Sequence, residues 1–261
     1  KSEIIVQTFT IISPILSIIK NNCRPVFIDS RIDDFNIDYD QIESKINKNT
    51  KAILVAHMYC YPAKMDKIID ICEKHNIDLI EDSAEMHGQE FNGKKCGSFG
   101  RISTFSFYAN KIITTGEGGM VVTSEKKLAD KCKKYRNLSF EPDGKRFIHN
   151  EFGWNYRMTN IQAAIGLAQL EKINHYIDLK RKIGNYYIEH LNHLKNIKIP
   201  TKQNNDSENI FWVFPLLFKN KKDKKYAEKF YSDSGIETRP MFYPMHLQPV
   251  LIKNKIGNLT D

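Results

Sequence analysis

The first eighty or so residues alternate between short apolar runs and amphipathic stretches, and that alternation leaves few folds open. Pro25-Val26-Phe27-Ile28-Asp29, Ala52-Ile53-Leu54-Val55-Ala56-His57 and Asp78-Leu79-Ile80-Glu81-Asp82 read as strands, and residues 1–6 as the start of another. Between them, residues 11–20, 39–46 and 65–75 carry helical spacing, the last with Ile68, Ile69 and Cys72 on one face. Strands alternating with helices predict an α/β chain with a mostly parallel sheet covered by helices on both faces. The unbroken apolar run at residues 52–55 fits a strand buried on both sides.

After Asp82 the pattern changes. Residues 102–107 and 118–123 read as strands joined by only about ten residues, too few for a helical crossover, so an antiparallel pair or local hairpin is expected. Residues 126–137 read as a helix. Residues 159–176 read as a stronger one, with Thr159 as N-cap and an apolar stripe of Ile161, Ala164, Ile165 and Ala168. It is expected to continue after a kink through residues 179–194. Beyond Pro200 the reading is a strand at 211–218, a helix at 226–234 and an extended segment from Glu237. This gives a large domain over residues 1–180 and a smaller, incomplete α+β domain over residues 181–261, with both ends read as trimmed.

The chain has 261 residues, 41% of them hydrophobic, enough for one large core or a large and a small one. No apolar stretch reaches the length of a membrane span, and the first residues lack the pattern of a signal peptide. The formal net charge of +8 comes mostly from lysines scattered among Asn and Ile, a solvated surface first of all. The densest cluster, residues 219–225, reads as a loop. Attraction of a polyanion stays open on charge alone, but no nucleic-acid motif accompanies it. The five cysteines (Cys23, Cys60, Cys72, Cys96, Cys132) are dispersed and lack metal or redox spacing, which fits free thiols in a reducing cytoplasm.

Two sites stand out chemically. Asp82 ends an apolar strand, where parallel α/β sheets bind ligands, although a lone acid there is often only a cap. Glu81 beside it points to the other face and reads as structural. Lys111 lies between the strand-like Phe105-Ser106-Phe107 and the cluster Gly116, Gly118 and Gly119. Those glycines also suit a plain tight turn, and Ser106 an ordinary strand hydroxyl. Taken jointly, a strand-end carboxylate and a sequestered amine are what a pyridoxal phosphate enzyme needs.

Five ordered segments carry a resemblance. They are His57-Met58-Tyr59-Cys60-Tyr61-Pro62 with Met65-Asp66, then Glu81-Asp82-Ser83-Ala84-Glu85-Met86-His87-Gly88, then residues 106–119, then residues 153–164 (beginning Gly153-Trp154-Asn155-Tyr156-Arg157), and lastly residues 238–249 (beginning Thr238-Arg239-Pro240). Together they resemble the DegT/DnrJ/EryC1/StrS sugar aminotransferases, pyridoxal phosphate enzymes of fold type I, which aminate keto sugars on nucleotide carriers. The resemblance implies a large domain with a seven-stranded type of sheet. It implies Lys111 as the lysine that forms the Schiff base and Asp82 as the partner of the cofactor's ring nitrogen. Ala84 would pack beneath the ring, Glu85 stand near the ring hydroxyl and Ser106 bind the phosphate. Asn155 would reach the phosphate of a neighbouring subunit's cofactor, which implies a homodimer with shared sites. Arg157, Arg239 and His246 are candidates for the phosphates and sugar of the substrate, with surface or interface ion pairs as their plain alternative.

The sequence departs from that pattern in places. The family's glycine-threonine phosphate loop would precede residue 1. The ring-covering aromatic aligns near residues 8–13, where Phe9 and Ile11 compete and Ile11 takes the usual position. Cys60 replaces a glycine after Tyr59, and the last strand and helix of the small domain are missing. Residues 106–119 and 239–249 resemble perosamine synthases most, with viosamine synthases next. The implied reaction is therefore transfer from L-glutamate to the 4-keto group of a nucleotide-linked 6-deoxyhexose, on GDP or another nucleoside diphosphate, for O-antigen, capsule or glycoprotein glycans. The 3-keto aminotransferases share most of these motifs. The family's dehydratase branch has histidine in place of the lysine, so Lys111 argues against it. A non-catalytic relative that only holds the cofactor is the rival from another class.

Overall fold

In the computed structural model, which describes residues 1–59, 61–141, 144, 145 and 147–256, one six-stranded sheet organises the chain. Its strands run in the order β2 (Arg24–Ile28), β1 (Glu3–Gln7), β3 (Thr50–Ala56), β4 (Asp78–Asp82), β7 (Ile102–Ser106) and β8 (Gly119–Val122). The first five pair in parallel, and β8 runs antiparallel to β7. The described residues thus supply six strands of the expected seven-stranded type. Helices α1 (Ser13–Lys20), α2 (Tyr39–Lys45) and α3 (Met65–His75) make the crossovers between the first four strands.

Strand periodicity sorts the core into two layers. Ile5, Ile53 and Val55 face one side with Ile42 of α2 and Ile68 of α3. Ile4, Val6 and Leu54 face the other with Ile15 and Ile18 of α1. Because both faces are covered, all of β1 is buried, which explains its continuous apolar run. The chain leaves β1 towards β2 and returns to β3 on the other side of β1. Such a reversal opens a crevice at the carboxyl ends of the strands, and Thr8, His57, Asp82 and Ser106 lie at those ends.

Several boundaries differ from the sequence reading, each for a local reason. A short hairpin, β5 (Glu90–Phe91) with β6 (Lys94–Lys95), was not foreseen. Its turn is Asn92-Gly93, both with positive φ (49° and 76°), the conformation such a pair favours. Helix α4 (Lys126–Tyr135) follows β8. The long helix breaks earlier than expected, giving α5 (Asn160–Leu170) and α6 (Ile173–Leu191). Thr159 caps α5 through a reciprocal capping box with Gln162. The α5 stripe does not enter this chain's core: Ile161 is 76% exposed and Ile165 45%.

Only Leu217–Phe218 of the expected 211–218 strand is a strand; this β10 pairs antiparallel with β9 (Ile197–Lys198). The preceding aromatics pack instead of pairing. Phe211 is buried against the backbone of α6, where a Cβ on Gly184 would come within 2.3 Å of its ring. The lysine-rich stretch read as a loop is mostly the start of α7 (Lys221–Asp233), because Asn220 accepts a hydrogen bond from Asp223 N and caps it. The segment after Glu237 contains a single 3-10 turn at Met245–Leu247 and α8 (Pro249–Lys253). Among the described residues no helix is long and apolar enough to cross a membrane.

Glu81 fastens this sheet from inside. It is fully buried. Its Oε1 accepts from Ser83 Oγ at 3.1 Å and from the Gly97 N–H, and lies 2.9 Å from His57 Nε2. Its Oε2 accepts from Phe99 N, Gly100 N and Ser103 Oγ at 3.0, 3.1 and 3.1 Å. Ala63 N–H donates to Nδ1 of His57, so the imidazole proton sits on Nε2 and is given to Glu81. Burial alone would raise the Glu81 pKa; the bonds from His57, Gly97 and Gly100 outweigh it and bring it to about 2. A depressed carboxyl stabilises the fold above its unfolded pKa, and that stability is lost as pH falls from there towards about 2. Glu81→Gln should therefore cost on the order of 3 kcal/mol at pH 7 and clearly less at pH 3, read from urea unfolding at the two pH values.

Candidate active site

The turn after β4 brings two more acids together with the lysine. Asp82 points to the face opposite Glu81, and its Oδ1 accepts from Ala84 N at 3.1 Å. The chain then doubles back so that Glu85 is buried, with its Oε2 accepting from Tyr59 N at 2.7 Å. Lys111 arrives from β7 on a loop closed by hydrogen bonds from Phe107 N to Gly118 O and from Thr115 N to Phe107 O. Gly118 is required there: its φ is +153°, and a Cβ would come within 2.4 Å of Thr115 Oγ1. The Lys111 Nζ lies 4.0 Å from the centroid of the Trp212 ring.

These groups perturb one another. Burial lowers the pKa of Lys111, and the charges of Glu85 and Asp82 oppose that shift. Burial raises Asp82, tempered by the Ala84 N–H and by His57 and Lys111. Burial pushes Glu85 up to about 8; Lys111 and the Tyr59 N–H pull it down, and the nearby Asp82 adds to the rise. Two acids facing one amine in a dry site cannot all be charged without a net negative charge, so Glu85 keeps its proton near neutral pH. His87, behind this group, packs its ring against Phe105 and Phe107, and burial drops its pKa to about 4.

The structure brings some of the sequence-nominated residues together and leaves others apart. Asp82, Glu85 and Lys111 form one electrostatic cluster, with the half-buried Ala84 between the two acids. Ser106 ends β7, opposite Gly119 of β8 in the ladder, and its Oγ accepts from Tyr108 N at 3.3 Å. Asn155 and Arg157 are exposed, joined to each other by a 3.2 Å bond from Arg157 Nε to Asn155 Oδ1. Neither bonds to Asp82, Glu85 or Lys111 among the described residues. Arg239 is exposed and pairs with Glu237 at 3.1 Å. His246 sits in the 3-10 turn with its Nδ1 buried and without a partner. Its segment is tied over the strand ends by bonds from Met245 N to Thr8 O at 2.7 Å and from Phe242 N to Tyr59 Oη at 3.0 Å. The Phe9 ring is committed to a cluster with Phe35, Tyr59 and Phe242, whereas Ile11 is exposed. Cys60 lies outside the described residues.

Two contributors escaped the sequence reading. Trp212 lay inside an apolar run read as strand. Thr104 bonds to the Asp82 carboxylate from the neighbouring strand, a pairing that only the β4–β7 register creates. His57, Glu81 and Cys96 also lie close together, but both imidazole nitrogens and the carboxylate are already engaged, so neither His57 nor Glu81 has a ligand atom left for a metal. The donor set around Lys111 fits pyridoxal phosphate chemically. It offers an acid for a ring nitrogen, a protonated carboxyl for a ring hydroxyl, an amine for an aldehyde and a hydroxyl for a phosphate.

A sequence model of the DegT/DnrJ/EryC1/StrS aminotransferase family matches residues 1–259. The GDP-perosamine synthase of Escherichia coli O157:H7 is 40% identical over 248 residues, 95% of this chain and 67% of the relative. Among solved structures, Helicobacter pylori PseC, an aminotransferase involved in the biosynthesis of pseudoaminic acid, superposes with a TM-score of 0.91 at 27% identity, over 99% of this chain and 70% of that one. The E. coli GDP-4-keto-6-deoxy-D-mannose-3-dehydratase with bound hydrated PLP gives 0.88 at 25% identity, over 98% and 69%.

The raised Glu85 pKa carries a sign. An acid whose folded pKa lies above its unfolded value destabilises the fold progressively as pH rises between the two, here from about 4.5 to about 8. Glu85→Gln removes that penalty. The variant should be more stable than the parent at pH 8 by roughly 2–4 kcal/mol and similar to it at pH 5, measured by urea unfolding.

Proposed function

The chain belongs to the DegT/DnrJ/EryC1/StrS aminotransferase family, and from that premise we propose that it transfers the amino group of L-glutamate to the 4-keto carbon of a nucleotide-linked 4-keto-6-deoxyhexose, with pyridoxal 5′-phosphate as cofactor. The bound cofactor supplies an electron sink and a carrier for the amino group. The observation that carries the reading is the cluster of the buried Glu85 with the half-buried Asp82 and Lys111 at the strand ends.

Each residue has a separable task. Asp82 keeps the ring nitrogen protonated, because a carboxylate in a dry site raises the pKa of a base it faces. Glu85, holding its own proton, donates to the ring hydroxyl. Ala84 would leave room beneath the ring, and the exposed Ile11, rather than the committed Phe9, would cover it. The Ser106 hydroxyl binds the phosphate. Lys111, with its pKa lowered by burial, is the amine that would hold the cofactor and that would carry a proton to and from the reacting carbon through Nζ. Arg157, Arg239 and His246 bind the diphosphate and sugar; the unpartnered buried Nδ1 of His246 favours that assignment. On this reading residues 1–180 carry the cofactor and residues 181–261 the smaller domain.

The working form is a homodimer with shared sites, in which Asn155 of each copy reaches the other's phosphate. The exposed apolar face formed by Ile161, Ile165, Phe152 and Tyr156 supports it. GDP is the favoured carrier, on the strength of the GDP-perosamine synthase relative. UDP- or dTDP-sugars of the viosamine type are the second choice. The reaction is cytoplasmic and feeds O-antigen or related glycans. Lys111 separates this chain from the dehydratase branch. The depressed amine beside two acids favours it over a catalytically silent regulatory relative.

Lys111→Ala should still bind pyridoxal phosphate yet lose roughly 10²- to 10⁴-fold or more in turnover with glutamate and a GDP-4-keto-6-deoxyhexose. Assays with the GDP- and UDP-linked sugars side by side fix the carrier. A variant that turns over at the parent rate would remove Lys111 from the mechanism.

A further inference from the structure

Trp212 has no task in the scheme above, yet it holds the loop of the reactive amine at two points. The Lys111 Nζ lies 4.0 Å from its ring centroid, and its indole N–H donates to Asn110 O at 2.9 Å. The ring itself is buried and stacks on Tyr59, with centroids 6.4 Å apart and planes at 26°. Tyr59 stacks in turn on Phe242 at 5.4 Å and 25°, and its hydroxyl takes the Phe242 N–H. An indole wedged in this way has one place to be. It presents its face to the lysine and its edge to the lysine's neighbouring carbonyl.

We propose that Trp212 is the positioning residue for Lys111: its ring face holds the released ε-amine in place and favours its ammonium form when that amine has taken the substrate's proton. The inference rests on the transaminase reading and deepens the role of Lys111 within it. A lysine acting as base in a buried site gains a charge there, and something must accept it. From the turn after β4, Asp82, Glu85 and His87 face it; from α6, Tyr176 and Lys180 line the same cavity. Glu85 holds a proton near neutral pH, His87 is neutral, and Asp82 is committed to the ring nitrogen. Lys180 is a like charge and has no ion pair among the described residues. The indole face at 4.0 Å therefore adds an attraction that needs no proton of its own.

The sign follows directly. An aromatic face stabilises the charged amine, so removing it lowers the Lys111 pKa by about half to one unit. The acid limb of the rate profile then moves to lower pH by the same amount. The maximal rate falls roughly three- to tenfold, because the protonated intermediate state loses support and the amine loses its fixed place. The KM for glutamate should stay within about twofold, since Trp212 is not assigned to the donor.

The test uses the holoenzyme in its pyridoxamine form, where Lys111 is free. Competitive acylation with acetic anhydride across pH, read at the Lys111 peptide by mass spectrometry, gives the amine's titration without any turnover. Trp212→Leu should titrate lower and Trp212→Phe should recover part of the difference. Replacing Trp212 by tetrafluorotryptophan keeps shape and N–H but drains the ring face, so it carries the test even where the leucine variant does not fold. It too should titrate lower. An unchanged Lys111 titration in the fluorinated protein overturns the proposal, as does a rate loss in Trp212→Leu with no shift in titration. Failure of the underlying reading looks different: the parent protein itself would show no glutamate-driven conversion of its cofactor.

Discussion

Two adjacent carboxyls at the end of β4 set the geometry of everything around them. A strand sends neighbouring side chains to opposite faces, so Glu81 and Asp82 cannot share an environment. Glu81 goes inward and is met by three backbone N–H groups, two hydroxyls and an imidazole. That saturation keeps it ionised and ties the 97–100 loop to β4, which in turn fixes where β7 begins. The pairing of Asp82 with Thr104 across β4 and β7 depends on that anchorage. A one-residue slip would exchange the two acids, leaving the ligand face with the wrong carboxyl and the core with an unpaired charge. The structural acid and the acid proposed to face the cofactor are thus parts of one constraint.

The second constraint is charge. At about 4 Å and an effective dielectric near 20, two unit charges interact by about 4 kcal/mol, enough to decide which groups ionise. Around Lys111 the arrangement resolves by leaving Glu85 neutral, because it is the more deeply buried acid and accepts only one backbone N–H. Asp82 accepts its bond from Ala84 and is helped by His57, Lys111 and Thr104, so it is the better carboxylate. One acid is thus suited to be an anion and the other a hydrogen-bond donor, although they lie only three residues apart on one turn. A neutral Glu85 presents the same kind of donor as a glutamine amide would.

Much of this was legible in the sequence, and the parts that were not have physical reasons. The strand at residues 52–56 could be read because burial on both faces forces a continuous apolar run, and the end of the Leu79-Ile80 run located Asp82. Lys111 could be read from its odd company. The 211–218 run misled because apolarity records burial, not its mode: Phe211 and Trp212 are buried by packing on Gly184 and Tyr59 and not by strand pairing. The start of α7 was hidden by its lysines, which look like loop but are good helix formers once Asn220 caps them. The contact of Trp212 with Lys111 joins residues about a hundred positions apart, and no local pattern encodes it. The apolar stripe of α5 was read correctly as a stripe, but a single chain does not show what it faces.

The segment carrying Arg239 and His246 shows how the last part of the chain is coupled to the first. Two bonds donated by its backbone N–H groups, to Thr8 O and to the Tyr59 hydroxyl, lay it across the ends of β1 and β3. Met245 and Leu251 complete the core layer built by Ile4, Val6 and Leu54, so the tether is hydrophobic as well as polar. His246 rides on that anchored turn with one ring nitrogen buried and unbonded. A buried polar atom without a partner costs about 1–3 kcal/mol, a cost folding alone gives no reason to retain. It is offset if a ligand supplies the missing donor or acceptor. Because Tyr59 contacts Phe242 of this segment, Trp212 of the loop beneath it and Glu85 through its backbone, a group bound at His246 bears mechanically on the residues that hold Lys111. On the proposed assignments, recognition of the substrate and placement of the amine of Lys111 would draw on the same aromatic stack.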